Sequence, residues 1–210
     1  MKPTSALLSF ACLLITVSSA TAPPPGQTFY LKVVGGNTLT SGAVLRDNNT
    51  YDLGVTSPPY FDSLPYGDHP SPISVATDSS GELIVSPTNP HPGPISGRLA
   101  LVSNSSGDWT LSKAFPQPGG IWNAGPDRED ATVKTVGWEF RDATWGGGAT
   151  VLRWADASSS GRWIAVKKDV QLFEGAPYVR WVLHWVEVRP DTWAALGEYR
   201  VVDLEISSTP

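Results

Sequence analysis

From Tyr178 to Val188 the side chains alternate in character. Val179, Trp181, Leu183 and Trp185 fall on one side, and Tyr178, Arg180, Val182 and His184 on the other. A period of two marks a β-strand, and one apolar face opposite a mixed one is the habit of an antiparallel sheet packed on a single side. No stretch of the chain sustains a period of 3.6, and only Asp191–Leu196 offers a helical turn. Further strands are expected at Phe29–Val34, Ile73–Thr77, Glu82–Ser86, Arg98–Ser103, Ala131–Phe140, Thr150–Ala155, Arg162–Gln171 and Tyr199–Ile206. Asp78-Ser79-Ser80-Gly81 and Ser158-Ser159-Ser160-Gly161 read as hairpin turns. Gly35 to His69, Pro87 to Gly97 and Pro116 to Asp130 read as loops, because Pro, Gly, Asp and Ser crowd them. The predicted fold is all-β, a single-domain antiparallel β-barrel or β-sandwich over residues 28–210. The echo between Gly97-Arg98-Leu99-Ala100-Leu101-Val102 and Gly161-Arg162-Trp163-Ile164-Ala165-Val166, with Phe29 a similar step earlier, adds a β-trefoil as a variant.

All nine tryptophans lie between Trp109 and Trp193. One indole buries roughly 150–250 Å², a gross gain of about 4–6 kcal/mol at ~25 cal/mol per Å². The second half therefore builds the core or carries an aromatic binding surface. Alternation assigns Trp181 and Trp185 to the core, and Trp163 fits a buried position beside Ile164 and Val166. Residues 1–20 read as a secretory signal peptide: Lys2, an apolar run from Ala6 to Val17, then Ser18-Ser19-Ala20 before the cleavage point. That run is shorter than the ~20 residues of a membrane span. Residues 21–27 form a proline-rich leader. The single cysteine, Cys12, leaves with the signal, so the mature chain of about 190 residues has no disulfide and must be held by packing. The expected location is extracellular. Asn48-Asn49-Thr50 and Asn104-Ser105-Ser106 are glycosylation acceptors, at Asn48 and Asn104.

Charge and motifs narrow the function. Acidic residues outnumber basic ones by 20 to 15, and Lys167-Lys168 is the only adjacent basic pair. No basic stripe serves nucleic acid or an anionic membrane surface. His69, His91 and His184 lack metal-ligand spacing, and Asp127-Arg128-Glu129-Asp130 lacks the alternating calcium-loop pattern. No metal or cofactor is expected. No Gly-x-Ser-x-Gly occurs. Carboxylates for glycoside chemistry would come from Glu139, Asp142, Asp156 or Glu187 on aromatic-flanked segments.

Trp109, Trp122, Trp145 and Trp193 fall outside the clear strands. Trp122 and Trp145 are flanked by glycines, and loop indoles of this kind stack on sugar rings while Asn123, Arg141 and Asp142 supply polar contacts. The competing reading folds these indoles back over the barrel ends, since large exposed aromatics are costly. The first functional expectation is a non-catalytic, lectin-like or effector-type protein that meets a glycan or a host or cell-wall surface through Trp122, Asn123, Arg141 and Trp145. The second is an enzyme with Glu139, Asp142 and His184 as acid–base groups in a Trp-lined cavity. The third is a structural component of a cell wall or spore coat.

Gly26-Gln27-Thr28-Phe29-Tyr30-Leu31-Lys32 resembles the opening of a group of small secreted fungal proteins of unknown function. Gly161-Arg162-Trp163-Ile164-Ala165, then Gly175-Ala176-Pro177-Tyr178-Val179-Arg180-Trp181, resembles their closing segment. The resemblance covers the two ends of the mature chain and not its middle. This chain has Val166 near the place where members often carry a cysteine. The resemblance implies an extracellular β-barrel or β-sandwich and assigns no catalytic residue.

Overall fold

The computed structural model describes residues 20–36, 42–47, 51–56, 71–87, 96–103, 108–125, 128, 130–143, 148–155, 161–170, 178–186 and 193–210. Residues 1–19, Asn48, His69, His91, Asn104, Trp145, Asp156 and Glu187 lie outside the described residues.

The protein is all-β. Its strands are β1 (Thr28–Gly35), β2 (Ala43–Val44), β3 (Arg46–Asp47), β4 (Gly54–Thr56), β5 (Ser71–Thr77), β6 (Leu83–Pro87), β7 (Gly97–Ser103) and β8 (Trp109–Pro116). There follow β9 (Trp122–Asn123), β10 (Val133–Lys134), β11 (Trp138–Asp142), β12 (Thr150–Trp154), β13 (Arg162–Val170), β14 (Tyr178–Val186) and β15 (Tyr199–Ser207). Eight of them close a ring in the order β1-β15-β13-β14-β8-β7-β6-β5, with β5 returning to β1 and every pair antiparallel. Of the expected architectures, the barrel is the one found. A trefoil is not. Its three related strands would be β1, β7 and β13, but in this ring β7 runs opposite to the other two, so no three-fold axis relates them.

Closure of the ring follows from alternation. Phe29, Leu31 and Val33 of β1, Leu99 and Leu101 of β7, Trp163 and Ala165 of β13, Trp181, Leu183 and Trp185 of β14, and Val202 and Leu204 of β15 all enter one buried core. With β1 ascending, β6, β8 and β13 ascend too, while β5, β7, β14 and β15 descend. At the upper end two seams of the ring part. Between β1 and β5 lies 43–47: β2 pairs with Lys32 and Val33, and β3 pairs with Ser71 and Pro72. Between β8 and β14 lies 51–56: Leu53 donates to the Leu111 carbonyl (2.9 Å), and β4 pairs with Arg180, Trp181 and Val182. The two inserts meet at Arg46 and Gly54. Leu45, Leu53 and Val55 are fully buried within them. The segment expected to be one long loop therefore supplies wall and core.

At the lower end β12 pairs with Leu204 and Glu205 of β15, past the point where β13 leaves that edge. The β11–β12 hairpin brings Trp138 and Trp154 into edge contact (4.9 Å between centroids). Trp138 stacks on Trp163 at 6.5 Å, and Trp163 meets Trp185 edge-on at 5.1 Å. Trp163 donates its indole N–H to the Leu152 carbonyl (2.8 Å). Lys134 lies 4.0 Å over the Trp109 ring, a cation–π contact. Trp109 thus packs against the core, as the capping reading expects, and Trp193 is buried against Ile164, Val166 and Val186 on the outer face of β13 and β14.

Three differences from the sequence reading have local causes. Ala131–Phe140 is two strands, because Gly137 turns the chain with φ 108° and β10 joins β7 while β11 joins β12. Trp109–Pro116 is a strand although no strand is expected there. Both faces of β14 are buried, Arg180, Val182 and His184 included, because the outer face is covered as well: Val186 joins Trp193 in a second apolar cluster, Arg180 donates to the Asp52 carbonyl and His184 lies beside Asp108. Of the turn expected at Asp191–Leu196, Ala194–Leu196 is a 3-10 helix, while Asp191 and Thr192 lie outside the described residues.

Candidate functional site

At the upper end β8 runs on into β9, with Phe115 opposite Asn123 and Pro116 opposite Trp122. Gln117 N–H donates to the Ile121 carbonyl (2.8 Å) and closes the turn, whose Gly119 and Gly120 both have positive φ (86° and 78°). Side chains other than glycine rarely adopt that conformation, so the tip is built for a tight turn. Trp122 is half-buried and packs against Ala100, Val102, Ala114 and Ala124 on the outer face of β7 and β8. Asn123 accepts a hydrogen bond from Gly125 N–H through Oδ1 (3.0 Å). Ile121 at the tip is 65% exposed.

Beside this hairpin lies a charged network that no motif signalled. Lys113 points into the barrel from β8 and pairs with Asp47 of β3, both buried. Phe115 sits 5.5 Å from the Lys113 ammonium and edge-on to Tyr51 (5.8 Å). Arg128 grips Asp52 with two nitrogens (2.7 and 2.9 Å) and reaches the Ser112 hydroxyl (3.1 Å), which itself donates to Asp52 (2.8 Å). Arg180 donates to the Asp52 carbonyl. Burial lowers the pKa of the Arg46 guanidinium from its ordinary value. These contacts pin 43–47 and 51–56, whose strands are too short to hold themselves by ladder bonds alone. A paired, hydrogen-bonded charge is the form in which ions persist in an interior.

The residues singled out from sequence are dispersed. Trp122 and Asn123 are neighbours on β9 at the upper end. Arg141 is on β11 at the lower end, where its Nε donates to Glu139 (2.7 Å). Asp142 is exposed on the opposite side of that strand. His184 is buried on the outer face of β14, its Nδ1 3.3 Å from an Asp108 carboxylate oxygen. It is not the surface strand residue that alternation suggests. Glu139, Asp142 and His184 therefore share no pocket: the first two project from opposite faces of a hairpin at one end, and the third is enclosed between β13 and β8. Trp145, Asp156 and Glu187 lie outside the described residues. Among the described residues no group of three or more His, Cys, Asp or Glu side chains is placed to hold a metal ion, and no helix is long and apolar enough to cross a membrane.

The fold and this end of it define a closed eight-stranded antiparallel barrel with a splayed, charge-pinned mouth. No family model, curated protein or solved structure matches the chain.

Proposed function

We propose that the protein is secreted and non-catalytic, and that the β8–β9 hairpin recognises a glycan surface. The observation that carries this reading is the pairing of an anchored indole with an exposed apolar tip. Trp122 is fixed from beneath by the alanines of β7 and β8, while Ile121 next to it stands in solvent. A rigid aromatic beside a turn with little side-chain bulk suits the flat C–H face of a sugar ring, and Asn123 brings an amide for ring hydroxyls. The leader sequence and the fungal resemblance support an extracellular setting. The dispersal of Glu139, Asp142 and His184 weighs against the enzymatic reading.

The test is titration of the mature protein against a panel of soluble cell-wall polysaccharides, with Trp122→Ala and Ile121→Ala beside it. Binding that Trp122→Ala weakens by at least about tenfold supports the proposal; one stacked ring contributes on the order of 1 kcal/mol or more. Absence of binding to every polysaccharide, or equal binding by the variants, removes it.

A further inference from the structure

The β11 strand ends the sheet order, and no described strand pairs with its outer edge. Its register fixes what that edge presents. Ala155 N–H donates to the Gly137 carbonyl and Ala143 N–H to the Ala149 carbonyl (both 2.8 Å). In an antiparallel ladder the backbone groups of alternate residues turn to the same neighbour. Gly137, Glu139, Arg141 and Ala143 therefore spend their N–H and C=O groups on the β12 side, and Trp138, Phe140 and Asp142 present theirs outward.

We propose that this edge pairs with the same edge of a second copy of the chain, antiparallel, with the two-fold axis at Phe140. Phe140 then faces Phe140 of the second copy, and Trp138 faces Asp142. These are the residues whose backbone groups point outward, so each such pair exchanges both N–H···O bonds. Glu139 faces Arg141 across the axis, twice. These two pairs occupy the non-hydrogen-bonded positions, where opposing side chains come closest. An edge defended against self-pairing carries like charges or a proline at such places. This one carries a segment, Trp138-Glu139-Phe140-Arg141-Asp142, in which Glu139 and Arg141 complement their own reverse while Asp142 meets Trp138.

The charges on the sheet behind continue the pattern. Asp203 of β15 pairs with Arg153 of β12 (3.2 Å), and Arg153 lies opposite Glu139. The row reads acid, base, acid, and the incoming Arg141 is the base that comes next. Within one chain Arg141 already binds Glu139, and both side chains are substantially exposed (40% and 35%), so the new contact needs only a change of rotamer. Five residues a side is a small contact, below the ~1,200 Å² of a standard stable interface. The association is weak and concentration-dependent.

The experiment is sedimentation equilibrium on the purified protein, up to millimolar concentration, with Glu139→Arg, Arg141→Glu and the double exchange. The native protein and the double exchange dimerise. Each single variant alone places like charges face to face and associates at least about tenfold more weakly. An equimolar mixture of the two single variants restores association, since a wholly basic edge then faces a wholly acidic one at both positions. Thermal unfolding of each variant checks that the fold is intact. A native protein that stays monomeric, single variants that dimerise like the native chain, or a mixture that fails to recover association overturns the proposal.

Discussion

The Lys113 ammonium meets the Asp47 carboxylate inside the barrel, joining the ring strand β8 to the insert that parts β1 from β5. Both side chains are nearly sealed, at 6% and 1% exposure. Removing one partner of such a pair leaves a buried charge without its counterion. Lys113→Met is therefore expected to destabilise the protein by about 3–5 kcal/mol. Asp47→Leu acts in the same direction, and the double variant loses less than the sum of the two, because they share one interaction. Urea unfolding of the three variants measures this. Additive losses would show that the two charges do not act as a pair.

Gly161 lies just before β13, where the Trp185 ring covers its Cα. A Cβ there would lie 2.4 Å from Trp185 Cε2 and 2.5 Å from Nε1. The indole cannot retreat freely, because Trp163 holds it edge-on. Gly161→Ala is expected to cost about 1–3 kcal/mol through overpacking and to shift the tryptophan emission. Unchanged stability by chemical denaturation, with unchanged fluorescence, would contradict this packing of Trp185.

Asp78 organises the β5–β6 turn. Its Oδ1 accepts from the Ser80 hydroxyl (2.6 Å), Ser80 N–H (2.8 Å) and Glu82 N–H (3.0 Å), and Arg98 lies 3.1 Å from its other oxygen. The Ser80 hydroxyl, then the two backbone donors and Arg98, hold the carboxyl below its ordinary value against a partial opposing effect of burial. A carboxyl depressed in the folded state contributes stability above its unfolded value of ~3.9. That contribution fades as pH falls through the folded value. Melting temperatures of the native protein and Asp78→Asn, recorded from about pH 6 down to about pH 2, are expected to differ most near neutrality and to converge in acid. A constant gap across that range would refute the assignment.

Much of the wall is legible in the sequence because period-two alternation is a direct image of an inside and an outside. Strands β1, β5, β7, β13, β14 and β15 stand within a few residues of where alternation puts them. The strand β8 is hidden by its own chemistry: Trp109, Leu111 and Phe115 alternate correctly, but the inward position between them is Lys113, which interrupts the apolar series. What makes that lysine tolerable is Asp47, distant in the chain. The inserts 43–47 and 51–56 are hidden by composition, since two- and three-residue strands among Asp, Asn and Gly carry no period. Their place comes from Arg128, Arg180 and Lys113, which only the closed ring brings near. The candidate site is legible in part. Gly119, Gly120 and Trp122 stand out in the sequence, but within a stretch, Pro116 to Asp130, that reads as a loop. The two-residue strand β9 is too short to show a period, and Arg141 has no local sign that it belongs to the other end. Alternation misplaces His184 because an outward polar residue covered by other parts of the chain looks the same in sequence as one that faces water.

The ring joins its first strand to its last, with Tyr30 opposite Ser207 and Gly35 opposite Val202. During synthesis, β1 emerges early and has no permanent neighbour on that side until β15 leaves the ribosome. Contacts this remote along the chain carry a large loop-closure cost and slow the final step. Until that step, the apolar flank of Leu31 and Val33 is open to wrong partners. The fraction of chains that refold to the closed cylinder is therefore expected to fall as chain concentration rises, while the unfolding free energy of the finished protein stays the same.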